Sequence, residues 1–219
     1  MSLFNDYYIK DYLDKKQIEI KAEVEKFSNE EIMANDTEVL ADNCYEKLKI
    51  ESLEIGGEDT SKRKLSQTKI PIKSDMFTSK MYQNECMFLD GVCANYSYPF
   101  TGDQKLFSCR ASTYQLSGYP NPNIAGGFIT FSYCQSLNEL NSDEKIKKLE
   151  VEHARDLQKV REGVKYVNQD IDLFNDSLRV VACGLLAKRK EKVEQFYTLS
   201  EIFNIPLERS EYATSQIPM

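Results

Sequence analysis

The chain has 219 residues, 41% of them hydrophobic and 29% charged, with a formal net charge of −7 at pH 7. That length accommodates one large domain, or one domain plus an extended helical element, and the composition is the one expected of a folded, water-soluble protein. The acidic balance argues against a nucleic-acid backbone as main partner, because phosphate contacts need surplus Lys and Arg; no segment reaches the ~18 apolar residues of a membrane span.

The first residues, MSLFNDYYIKDYLDKK, lack the uninterrupted apolar stretch of a secretory signal, so a cytoplasmic location is the expectation. From Asn5 to Phe27, apolar residues at Ile9, Leu13, Ile20, Val24 and Phe27 mark an amphipathic helix with a narrow face. Ser28-Asn29-Glu30-Glu31 is a capping box that starts a second helix, running on through Ile32, Val39, Leu40, Cys44 and Leu48.

The period changes near Ile50. Ser52–Ile55 and Thr68–Ile72 alternate, and Cys86–Tyr98 and Gly127–Tyr133 are rich in aromatic and β-branched residues. Pro99, Gly102, Gly118, Pro120-Asn121-Pro122-Asn123 and Gly126-Gly127 supply turns between them. Four to six antiparallel strands fit this block.

A third block opens at Asn141-Ser142-Asp143-Glu144, a capped helix start. No proline interrupts the chain from there to about Ala187. Leu157, Val160, Val164, Val167, Ile171, Phe174, Leu178, Val181 and Leu185 alternate at spacings of three and four, the seam of a helix that lies along another. His153 precedes the seam by a four-residue step that follows another four, a stutter. Gly163 and Gly184 each weaken the helix by ~1 kcal/mol relative to Ala and are the places where it could divide in two. Seam flanks are charged up to Ile171, whereas LRVVACGLLA is apolar almost all round. The C-terminal half is therefore expected to pack on the sheet. The N-terminal half is expected to project and pair with the first helix or with a second copy, unless both halves simply pack within one domain.

The resulting expectation is an α+β fold: an antiparallel sheet of four to six strands, two N-terminal helices, and a long heptad-patterned C-terminal helix or helix pair. Its blocks are 1–49, 50–140, 141–203 and an extended tail over 204–219. Leu157, Val160, Val164, Val167 and Ile171 are the candidate surface for a homodimer.

Chemical signatures are sparse. The single histidine excludes a multi-histidine metal site within one chain. Glu150-Val151-Glu152-His153 is one E-x-x-H pair without the second that a di-iron bundle needs. The six cysteines, Cys44, Cys86, Cys93, Cys109, Cys134 and Cys183, read as free thiols, with a zinc site from Cys86, Cys93, Cys109 and Cys134 as the alternative. Neither a cofactor nor a metal is called for. The basic triplets Lys62-Arg63-Lys64 and Lys188-Arg189-Lys190 read as solvated faces with room for a local anion site. The segment Tyr98-Pro99-Phe100-Thr101-Gly102-Asp103, with Lys105, Phe107 and Arg110, is the candidate functional loop. Phe100, Asp103 and Arg110 are its candidate ligand-binding residues, beside Tyr96, Tyr114 and Tyr119; the alternative is a hairpin whose aromatics fill the core.

Four pieces carry a resemblance: FSNEEIMANDTEVLADNCYEKLKIESLEI, the YPFTGD loop, the helix with DIDLFNDSL, and the exit LAKRKEKVEQ with FNIPLERSEYATSQIPM. Their order resembles the N-terminal region of uncharacterised, defence-like bacterial proteins that carry an effector domain, such as a TIR or nuclease domain, after it. The resemblance implies a non-catalytic sensing or assembly module that regulates an attached or partner effector, with the polar ending as a linker. A small-molecule or protein ligand fits that role. The alternative from another class is a small hydrolase or nuclease with carboxylate chemistry near the YPFTGD loop, which requires Asp103, Arg110 and a second acid in one cleft.

Overall fold

A computed structural model describes residues 3–71, 88–114, 118–137 and 143–205. The chain divides into two compact units, one comprising Met1–Tyr12 and Ile50–Asp172, the other Leu13–Lys49 and Leu173–Met219. The fold is α+β, and among the described residues no helix is long and apolar enough to cross a membrane.

The first unit is built on an antiparallel sheet whose central strand is β4 (Phe88–Thr101). On one edge β4 pairs with β3 (Lys62–Pro71) from Lys62↔Ser97 to Pro71↔Phe88, and with the short β2 (Glu54–Ile55) beyond it. On the other edge it pairs with β7 (Phe128–Ser136), which continues to β6 (Asn123–Ala125). Gly126 and Gly127, at φ 59° and 76°, form the two-residue turn between β6 and β7; a turn with positive φ at both positions matches the twist of a hairpin. A separate parallel ladder joins β1 (Tyr7–Tyr8) to β5 (Cys109–Arg110), so the predicted N-terminal helix begins only at Ile9, as α1 (Ile9–Lys26).

Alternation sorts the two sheet faces. Register places Tyr96 opposite Phe131 and Tyr98 opposite Ile129 on one face. The other face carries cross-strand polar pairs, Ser97 with Thr130 at 2.8 Å and Ser132 with Asn95 at 2.7 Å. The aromatic face receives the long helix α4 (Asp143–Phe203), whose first part buries Leu149, His153, Leu157, Val160, Val164, Val167 and Ile171. The stutter at His153 is used: the ring stacks on Tyr96 at 4.0 Å, and its Nε2 meets the Tyr98 hydroxyl at 2.8 Å. Asn168 acts as a surrogate strand edge. Its side-chain amide accepts from the Leu53 N–H at 2.9 Å and donates to the Leu53 carbonyl at 2.8 Å.

The second unit is helical: the rest of α1, α2 (Asn29–Ala34), α3 (Thr37–Leu48) and the later part of α4. The capping box forms as its sequence requires, Glu31 N–H donating to Ser28 Oγ at 3.1 Å and Ser28 N–H to the Glu31 carboxylate at 2.6 Å. Ile20, Val24, Ile32, Leu40, Ala41 and Cys44 enclose Leu178, Ala182 and Leu186 of α4. Glu23 is buried beside Lys26 (2.6 Å) and Lys47 (2.7 Å), which together hold its carboxyl below the usual range. The Arg189 guanidinium donates to the Val24 and Phe27 carbonyls at the end of α1.

The long C-terminal helix expected from the heptad pattern is present, and of its two expected forms it takes the single one, continuous through Gly163 and Gly184. The expectation about which part meets the sheet is corrected. The N-terminal part of α4 packs on the sheet, while its C-terminal part joins the helical cluster. LRVVACGLLA is buried along one face only: Leu178, Ala182 and Leu186 are inside, while Val180 is 73% exposed. An all-round apolar stretch tells nothing about which side finds a partner. The helix closes in a Schellman motif, with Asn204 at φ 51°, its N–H on the Glu201 carbonyl and the Ile205 N–H on the Ser200 carbonyl, both 3.1 Å.

Candidate recognition site

The surface patch around Arg110 is assembled by pinning two chain segments together. Phe4 is buried, sits at φ 52°, and donates its N–H to the Phe107 carbonyl at 2.7 Å; Asp6 N–H donates to Ser108 at 3.0 Å. Parallel pairing then sets Tyr7 beside Cys109 and Tyr8 beside Arg110. On the far side of Arg110, Asp170 of α4 accepts the Ser112 N–H at 2.7 Å and the Ser112 hydroxyl, clamping the loop. The guanidinium therefore lies over the Tyr8 ring at 5.6 Å and over the Tyr114 ring at 4.9 Å, and it donates to Asn5 Oδ1.

An open dimple of about 90 Å³ beside it is lined by Asn5, Asp6, Tyr7, Tyr8 and Arg110. Tyr7, Tyr8 and Tyr114 are 67%, 61% and 46% exposed. Burial was not the reason these rings were placed here. Arginine between aromatic faces gains cation–π attraction while keeping its in-plane N–H donors for an acceptor.

The three predicted ligand residues separate. Arg110 belongs to this patch. Asp103 caps the 3-10 turn Gln104–Ser108, accepting the Lys105 N–H at 2.9 Å on one oxygen and the Tyr12 hydroxyl at 3.0 Å on the other. Phe100, half-buried, packs edge-on against fully buried Phe107 at 5.0 Å and turns towards the core rather than towards Arg110's neighbours. Their shared loop suggested one site; the cap and the core each claim one of them. Tyr119 lies edge-on to Phe4 at 4.9 Å. Asn5–Tyr8 were missed as site residues because helical periodicity was extended one turn too far. The consecutive tyrosines after Asn5-Asp6, β-formers after turn formers, were the available signal.

The five seam residues expected to pair two copies are core. Val160, Val167 and Ile171 are fully covered, and Leu157 and Val164 nearly so, by their own chain. None offers a face to a second copy, because the aromatic face of the sheet already supplies the apolar surface that the heptad pattern calls for.

His153 is enclosed by Tyr96, Tyr98, Phe131 and Tyr133. Burial lowers its pKa, with nearby Arg63 acting in the same direction. Burial also raises the Tyr98 hydroxyl, and Tyr133, which donates to Asp156 at 3.1 Å, is raised by burial and then by that carboxylate. The Tyr98 hydroxyl and His153 Nε2 share one hydrogen bond, and Nδ1, a buried atom, meets no hydrogen-bond partner among the described residues. The arrangement locks α4 to the sheet as a neutral ring.

The reading of all cysteines as free thiols is also corrected. Cys93 and Cys134, directly opposite on β4 and β7 with Cα atoms 4.0 Å apart, form a disulfide. That bond removes two thiolates from the alternative zinc set, and Cys109 points its buried thiol at the Lys105 carbonyl, its pKa pushed up to about 11 by burial. Cys86 lies outside the described residues. Among the described residues, no group of three or more His, Cys, Asp or Glu side chains is placed to hold a metal ion. Comparison with protein-family models, with curated proteins and with solved structures finds no match to this chain.

Proposed function

We propose that the chain is a non-catalytic interaction module that recognises a carboxylate side chain of a protein partner at the Tyr8–Arg110–Tyr114 patch. The observation that carries this reading is the Arg110 guanidinium, set between two exposed rings and steadied by Asn5. A planar cation already ordered loses little freedom on binding, and its remaining donors match a carboxylate in a forked geometry. Tyrosine and arginine are also the residues that most often dominate binding energy at protein interfaces. The resemblance to modules that precede bacterial effectors supports the finer reading, in which this recognition regulates an attached or partner effector.

A second surface supports association through the end of α4. Phe196, Leu199 and Phe203, spaced three and four apart, continue the buried stripe of the helix yet are 52%, 47% and 65% exposed. If the chain self-associates, this face replaces the covered seam as the contact.

Selection of a random displayed peptide library on the wild type, followed by binding to Arg110→Ala and Tyr8→Ala, tests the first reading. Acidic peptides should be enriched, and both variants should weaken them by ~tenfold or more. Selected peptides that bind both variants as well as wild type would contradict it.

A further inference from the structure

β3 is the edge of the sheet, and among the described residues no strand pairs with its outer side. It is ten residues long, and Lys62, Arg63, Lys64 and Lys69 give it four cations with no acid, in a chain whose net charge is −7. Leu65 stands in the middle of this edge, 68% exposed. Lys62 lies over the Phe128 ring at 4.5 Å, and Arg63 reaches Glu58 at 3.5 Å. An unpaired edge presents a row of backbone donors and acceptors at the spacing of another strand. Lysines on such an edge repel a second copy of the same edge, since pairing would set four cations against four. The same charges favour an acidic strand.

We propose that the outer edge of β3 takes up an extended acidic segment of a protein partner as an added antiparallel strand. Backbone hydrogen bonds supply the attachment, and the side chains of β3 supply the selection. Register dictates the pattern on the incoming strand: acids opposite Lys69, Lys64, Arg63 and Lys62, and an apolar β-branched residue opposite Leu65. This surface is separate from the Arg110 patch and does not depend on the reading given to it.

The probe is a fluorescently labelled peptide, Glu-Thr-Gln-Thr-Val-Glu-Glu-Glu, read from Lys69 towards Lys62. Its binding is followed by anisotropy on the full chain, beside a control peptide with proline in place of the second threonine. Lys64→Glu with Lys69→Glu is the reversing variant. Neither lysine makes an ion pair among the described residues, and circular dichroism confirms that the variant folds. The parent peptide should bind the Arg110→Ala background, in which the other surface is removed, with the proline control and the Lys64→Glu, Lys69→Glu variant each weaker by ~tenfold or more. Amide exchange should slow at alternate residues of β3 when the parent peptide is added. Failure of the parent peptide to bind, equal binding of the proline control, or the absence of new protection at β3 would each overturn the proposal. Equal binding of the control would reduce the effect to charge attraction without strand addition.

Discussion

Substituting alanine for each of the two glycines inside α4 should have opposite effects. At Gly184 an added methyl group meets nothing within 4 Å, so only helix propensity acts, and Gly184→Ala should stabilise by roughly 0.5–1 kcal/mol. At Gly163 the same methyl group would lie 2.6 Å from Phe4 Cδ2, closer still to Phe4 Cε2, and 2.9 Å from Tyr119 Cε1. Carbon atoms sit comfortably at about 3.5–4.0 Å, so the overlap approaches ~1 Å. The Phe4 ring has little room to withdraw. It is 3% exposed, faces Phe107 at 6.0 Å and Tyr119 at 4.9 Å, and its backbone is tied to Phe107. Overpacking of this kind costs about 1–3 kcal/mol, against the ~1 kcal/mol gained in helix propensity. Gly163→Ala should therefore lie between neutral and ~2 kcal/mol destabilising. Urea denaturation of both variants, followed by circular dichroism and tyrosine fluorescence, measures the difference. Because Phe4 anchors Asn5–Tyr8, Gly163→Ala should also weaken any ligand of the Arg110 patch, and Phe4→Leu should relieve part of the clash. Equal stabilisation by the two alanines would refute the seating of Phe4 on Gly163.

Three further outcomes follow from the core and the cross-link. The His153 pKa is lowered in the folded chain, so the unfolded state takes up the proton first; stability present above pH 6.5 is lost as pH falls below it. His153→Phe should flatten urea midpoints just below pH 6.5, while leaving the carboxylate-driven loss at lower pH, to which Glu23 contributes, in place. Cys93→Ser with Cys134→Ser opens a link across 41 residues and should cost up to about 4 kcal/mol by loop entropy, while alkylation of the wild type should spare both cysteines until a reductant is added. Ile171→Asp puts a charge into a fully covered site and should prevent folding or cost several kcal/mol, whereas exposed Phe203→Ser should stay within about 0.5 kcal/mol by thermal melt.

Local signals were legible where a few neighbouring residues decide the outcome. Ser28 and Glu31 announce their reciprocal cap, and the alternation of Tyr96 and Tyr98 marks a half-buried strand. The heptad seam marks the buried side of α4 from Leu157 to Leu178, but periodicity names a face and not its partner. That is why the sheet was assigned to the wrong half of the helix, and why Val160 and Ile171 looked like a pairing surface. Register was illegible for the same reason. Only the pairing of β4 with β7 brings Cys93 opposite Cys134 and gathers four rings around His153. At the candidate site, Arg110 was readable as a cation in an aromatic region. Tyr8 stands 102 positions earlier, and no local pattern could bring it alongside.

Recognition at the Arg110 patch is decided by the affinity of a selected acidic peptide for wild type, Arg110→Lys and Arg110→Ala. Lysine keeps the charge but lacks the planar guanidinium that lies over the Tyr8 and Tyr114 rings and its forked pair of donors. Arg110→Lys should lose most of the affinity that Arg110→Ala loses. Wild-type affinity in Arg110→Lys would contradict it, leaving a general attraction to positive charge in place of a built recognition site.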